Sequence, residues 1–169
     1  MLKVDLGRLW REGSVLVEGQ VTPDDPLWTD SGLEWSAPVE VSLRLSSAGS
    51  GEVVGRGSVR GELRQECRRC LQPVRTRFAE DLTLVFVEGD ADAEWEDAGA
   101  HAFEPGRGDL DLSEAVREEV LLAMNPYVVC DPACPGLCPM CGANLKEGDC
   151  GCTATESDPR WDALRELKE

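Results

Sequence analysis

The sequence predicts an α+β fold, with an antiparallel β-sheet, a few helices and a cysteine-rich C-terminal module. Three observations lead there. Apolar and polar residues alternate with a period of two through much of the first half of the chain. A stripe of helical period appears just before Pro126, and six of the eight cysteines then crowd toward the C-terminal end. At 169 residues the chain has room for one domain of ordinary size plus a small module.

The strands come first. Val15, Val17 and Val21 keep the two-residue period, and Val39, Val41, Leu43 and Leu45 alternate with Glu40, Ser42 and Arg44. Residues 22–35 between them, with prolines, aspartates, Trp28 and Trp35, read as a loop held by partly buried aromatic anchors. Farther on, Val53, Val59 and Leu63 share a face with Gly55, Gly57 and Gly61, opposite Arg56, Arg60, Glu62, Arg64 and Glu66. After a turn at residues 67–70, Val74, Thr76, Phe78, Leu82 and Leu84 continue one face, with Arg75 and Arg77 on the other. This is the pattern of a β-hairpin with a cysteine turn at its tip. Residues 88–108 are acidic and aperiodic, and are expected to be a mobile loop that favours solubility. A helix follows: Asp111 and Glu114 have capping-box spacing, Leu112, Val116, Val120 and Ala123 form its stripe, and Pro126 ends it. Asp158 and Pro159 suit the start of a last helix carrying Trp161, Leu164 and Leu167.

The cysteines read C-x2-C at Cys67 and Cys70, then C-x3-C-x3-C-x2-C-x8-C-x-C from Cys130 through Cys134, Cys138, Cys141 and Cys150 to Cys152. Zinc takes four soft ligands at tetrahedral corners, and a two-residue spacer lets one tight turn supply two of them. Cys138, Cys141, Cys150 and Cys152 are therefore expected to form one local zinc site. Cys67, Cys70, Cys130 and Cys134 would form a second, long-range one, giving two Zn²⁺ ions per chain. The chain then divides into a sheet-plus-helix part, 1–125, and a zinc module with the C-terminal helix, 126–169, tied to the first part through Cys67 and Cys70. An even cysteine count also permits disulfides. The first six residues, however, acquire charge before any signal-peptide core could form, so a reducing, cytoplasmic setting is expected. Cys134, Cys138 and Cys141 also match the C-x3-C-x2-C spacing of radical S-adenosylmethionine enzymes, but only 28 residues follow Cys141, too few for the barrel that chemistry needs.

Charge narrows the function. Seventeen basic against 33 acidic residues give −16, which excludes nucleic-acid binding through bulk surface charge and argues against an anionic membrane. Two all-cysteine zinc sites would take the total to about −20. Arg68 and Arg69 are placed to offset the long-range site and Lys146 the local one. Within this acidic chain, residues 56–77 hold seven arginines and two glutamates, a net of +5. Arg60, Arg64, Arg68, Arg75 and Arg77 are candidate RNA contacts; the plainer expectation is a solvated face paired with the chain's own carboxylates. No enzyme motif is present, His101 is the only histidine, and an all-cysteine site has no open coordination position, so catalysis and a small-molecule substrate are not expected.

The run from Asp111 to Ala123, Cys130-x3-Cys134, Gly-Leu-Cys-Pro-Met-Cys-Gly-Ala-Asn-Leu at 136–145, Cys150-x-Cys152 and Asp158-Pro-Arg160 together resemble the YceD family. Glu66-Cys-Arg-Arg-Cys70, Pro73 and Phe78 extend the likeness, which runs from about residue 40 to the end; Met124-Asn125-Pro126 departs from the expected Leu-Pro. The resemblance implies a non-enzymatic factor for large ribosomal subunit biogenesis, needed for accumulation of large-subunit (23S) rRNA. Its implied partners are a pre-ribosomal large-subunit particle, the rRNA or a basic ribosomal protein. A thiol-based redox or metal-handling protein is the alternative that the cysteines allow.

Overall fold

The computed structural model describes residues 2–48, 51–89, 99–104 and 106–153. Its chain falls into two compact units, residues 1–65 with 73–126, and residues 66–72 with 127–169. Among the described residues no helix is long and apolar enough to cross a membrane.

The first unit holds the sheet. Strands β1 (Lys3–Asp5), β2 (Ser14–Val21), β3 (Glu34–Trp35), β4 (Val39–Ser47), β5 (Val53–Glu66), β6 (Pro73–Glu88), β7 (His101–Phe103) and β8 (Asp109–Asp111) accompany helices α1 (Leu6–Glu12) and α2 (Ser113–Ala123). The main sheet runs β2-β4-β5-β6-β7, and β3 pairs with β5 through Trp35 opposite Leu63. β2 and β4 pair antiparallel from Ser14 opposite Ser46 to Val21 opposite Val39, and β4 meets β5 from Glu40 opposite Arg60 to Ser47 opposite Val53. β1 and β8 form a separate antiparallel pair, braced by Lys3 Nζ at 3.2 Å from Asp109 and 3.6 Å from Asp111. The fold is α+β and mostly antiparallel.

The two-residue period decides which face is dry. Val39, Val41, Leu43, Leu45, Val53, Val59, Leu63, Leu84 and Phe86 are buried, whereas Arg44, Arg56, Arg60, Arg64, Arg75 and Arg77 are exposed on the alternate positions. Trp28 and Trp35 are buried anchors, their rings 5.2 Å apart, with Trp35 edge-on to Phe78 at 5.7 Å. On α2 the dry stripe is Ala115, Val116 and Val120, continued by Leu112 at its cap.

Several details differ from expectation. Helix α1 was not legible as a helix: seven residues are too short for a periodic signal, and its ends are marked only by the Asp5 carboxylate accepting from Arg8 N–H and by left-handed Gly13. The loop expected over 88–108 is structured at 101–103, which pair in parallel with Phe86–Glu88. Burial of Phe103 and stacking of His101 on Phe86 at 5.5 Å hold this strand, so tertiary contact overrides the acidic composition. The acidic core of that loop, 90–98, and the helix expected from Asp158 lie outside the described residues. The capping box does not form, because α2 starts a residue later than its spacing requires. Leu112 is the cap position, Asp111 instead accepts from Ser113 N–H at 3.0 Å, and Ala123 is exposed.

Candidate metal centres and an arginine-rich sheet face

The second unit is built from two copies of one turn. In the first, Cys67 N–H donates to the Gln72 carbonyl at 2.8 Å and Leu71 N–H to the Cys67 carbonyl at 2.8 Å. In the second, Cys138 N–H donates to Ala143 at 2.8 Å and Gly142 N–H to Cys138 at 2.9 Å. Each turn points two thiols the same way, as a two-residue spacer demands. The residue leaving it must take a left-handed backbone: Gly142 does so at φ 73°, and Leu71 does so at φ 59° despite its side chain.

The eight sulfurs stand in two groups of four, Cys67 with Cys70, Cys130 and Cys134, and Cys138 with Cys141, Cys150 and Cys152. Within each group all Sγ atoms lie within 4.8 Å of one another. Cys67 and Cys134 are 3.9 Å apart, and Cys70 and Cys130 3.7 Å. Those separations are far too long for an S–S bond, and every described cysteine is free. They match the roughly 3.8 Å edge of a tetrahedron of sulfurs placed about 2.3 Å from a central zinc. The donor set therefore fits a closed, four-sulfur ion site in both groups.

Hydrogen bonds bias the sulfurs. Burial pushes the Cys67 thiol up, but backbone N–H groups of Cys130, Cys70 and Arg69 outweigh it and bring the thiol down to about 6. The N–H groups of Cys141 and Met140, the latter 3.4 Å from the sulfur, lower Cys138 to about 7. Burial drives Cys134 up to about 12, and hydrogen bonds with Cys141 and Cys150 hold Cys152 at about 12. Four thiolates side by side repel, so such a group keeps most of its protons unless a dication replaces them.

The supporting contacts correct one expectation. Lys146 does not serve the local group: its Nζ is 3.4 Å from Cys130 Sγ, and this hydrogen bond, with the charge on Cys130, raises the lysine pKa. The turn at Asn144, whose side chain accepts from Lys146 N–H at 3.1 Å, directs the lysine there; no sequence signal marks that direction. Arg69 Nη1 donates to the carbonyls of Pro132 and Cys134 at 3.1 and 3.0 Å, while its own carbonyl accepts from Leu137 N–H at 3.0 Å. Gly136 makes that link possible, since a Cβ there would sit 2.9 Å from the Arg69 oxygen at φ 82°.

The RNA-contact candidates divide between the units. Arg60, Arg64, Arg75 and Arg77 are exposed on the outer face of β5 and β6, and Arg68 belongs to the second unit, its guanidinium 4.2 Å over the Tyr127 ring. Expected pairing with carboxylates occurs at Arg75, 3.5 Å from Glu62. Among the described residues Arg60, opposite Glu40, and Arg64, opposite Glu34, form no ion pair, and neither does Arg77.

Comparison with known proteins follows the same stretch of chain. Residues 55–168 match the family model described as large ribosomal RNA subunit accumulation protein YceD. An uncharacterised protein of Mycobacterium tuberculosis is 34% identical over 98% of this chain and 81% of its own length. One from Mycobacterium leprae is 30% identical over 80% of this chain and 61% of its own. The Arabidopsis thaliana chloroplastic protein named large ribosomal RNA subunit accumulation protein YCED homolog 1 is 38% identical over 47% of this chain and 24% of its own. No solved structure matches.

Proposed function

The chain belongs to the YceD family, and from that premise we propose that it is a non-enzymatic factor for accumulation of large-subunit ribosomal RNA, folded around two structural zinc ions. The observation that carries the reading is the pair of closed four-sulfur groups inside the stretch that matches the family. Zinc bound there supplies cross-linking of the chain, and four sulfur ligands leave no position for a reacting water. The protein's own residues do the recognition. Arg60, Arg64, Arg75 and Arg77 on the sheet face, and Arg68 stacked on Tyr127, are the groups offered to RNA, and the acidic remainder suits a basic ribosomal protein. The cytoplasm, where large subunits are assembled, is the place of action.

Sedimentation of a lysate tests this: the protein should travel in part with immature large-subunit particles, and its absence from every ribosomal fraction would overturn the reading. Metal analysis of protein purified without chelator should give about two zinc atoms per chain. Exposure of Cys141 and Cys152 favours a second reading, a thiol-based or metal-handling role. Rapid titration of several thiols in the native, metal-replete protein would support it; shielded cysteines would dismiss it.

A further inference from the structure

We propose that Arg44 and Arg56 together form a binding site for a backbone phosphate of RNA on the outer face of the sheet, an assignment that rests on the RNA role proposed above. Arg44 lies outside the basic hairpin, so nothing in its sequence position joins it to the other arginines. The β4–β5 register does: Arg44 stands directly opposite Arg56, and both side chains are exposed.

Facing residues on antiparallel strands have Cβ atoms about 5 Å apart, where like charges repel. On the β2 side nothing relieves the repulsion. The β2 partner of Arg44 is Leu16, an aliphatic side chain 46% exposed, and neither arginine has an ion pair among the described residues. Scarcity of acid does not explain this, since the chain holds 33 acidic residues. The two arginines wall an open depression of about 390 Å³, completed by Ser46, Ser47, Ala48 and Val54. Two guanidinium forks beside one hollow, with Ser46 on the same strand face as Arg44, match the oxygens of a phosphate, which accepts several charge-assisted hydrogen bonds at once. Along β5, Arg60 and Arg64 continue the same face at intervals of about 13 Å. Glu40 and Glu34 stand opposite those two and Glu62 lies between them, so the unbalanced positive charge of this face is concentrated at the Arg44–Arg56 pair, with Arg60 and Arg64 as further contacts along a polymer of phosphates.

The test uses the full-length, zinc-loaded protein and a transcript of a large-subunit rRNA fragment, with binding measured against salt. Arg44→Gln combined with Arg56→Gln should weaken binding roughly tenfold and flatten the slope of log affinity against log salt by about 0.7 to 0.9, the loss of one neutralised phosphate. The same double variant should melt at the same or a higher temperature in low salt, because a repulsive pair is gone; that readout separates a lost contact from a lost fold. Binding by wild type with an unchanged slope in the variant overturns the site and leaves the RNA role standing. No binding by wild type removes the RNA role and this site with it. Polyglutamate bound as tightly, with the same dependence on both arginines, would assign the hollow to an acidic protein and overturn the RNA assignment.

Discussion

The two sulfur clusters use the same turn and the same four donors, yet they differ in reach and in shelter. Cys67, Cys70 and Cys134 are buried and Cys130 is half-buried, and the two halves of that group are separated by sixty residues of chain. In the other group Cys138 is buried, Cys150 is half-buried, and Cys141 and Cys152 are exposed, all within one short segment. An ion in the first group would hold together segments that the chain leaves far apart, at a larger closure entropy. An ion in the second would order a loop that is already nearly closed. Identical coordination chemistry therefore has different structural consequences, set by where the ligands lie along the chain and how much protein covers them.

The largest expected effect comes from breaking one ligand in each cluster. Cys67→Ser should lower zinc to about one atom per chain and open residues 66–72 and 127–153 to protease, since binding energy at a structural site is folding energy. Cys152→Ser should also lose about one atom but leave the first cluster's segments protected. The same cleavage pattern in both variants would undo the distinction. Next in size is Lys146, which touches only the buried cluster. Lys146→Met should speed chelator removal of that cluster's zinc roughly tenfold, as loss of a contact to a ligand does elsewhere, and leave the exposed cluster's rate unchanged. A two-phase release followed with a zinc-sensitive dye reads both rates.

Exchanging the residues that leave the two turns sharpens the comparison on a finer scale. Gly142→Leu places a side chain at φ 73° and should cost about 1–2 kcal/mol, whereas Leu71→Gly relieves the matching strain and should stabilise by about 0.5 kcal/mol or more. Thermal melting of the zinc-loaded variants checks both signs. The smallest effect lies in the unit without a sulfur cluster. Burial alone would raise the Asp111 carboxyl, but hydrogen bonds from Ser113 and the charge of Lys3 outweigh it and hold its pKa below the usual carboxylate value. A lowered native pKa contributes stability at neutral pH that disappears as pH falls through it. The carboxylate is 44% exposed, so Asp111→Asn should lose less than about 1 kcal/mol at pH 7 and nothing in strong acid, read from urea midpoints across pH.

Much of this protein is written in short-range pattern. Alternation along β4, β5 and β6 marked the dry face and the arginine face, because successive side chains on a strand must point opposite ways. Cysteine spacing marked the two turns, because only a tight turn brings thiols with two residues between them onto one ion. Each of those rules acts within a few residues and is legible in the chain itself. Tertiary structure decided what depends on register and on chain reversal. It set Arg44 opposite Arg56, turned Lys146 toward Cys130, drew residues 101–103 onto β6 and started α2 one residue later than its apparent cap requires. Those outcomes follow from which distant segments pack together, and no local preference of the residues involved carries that information.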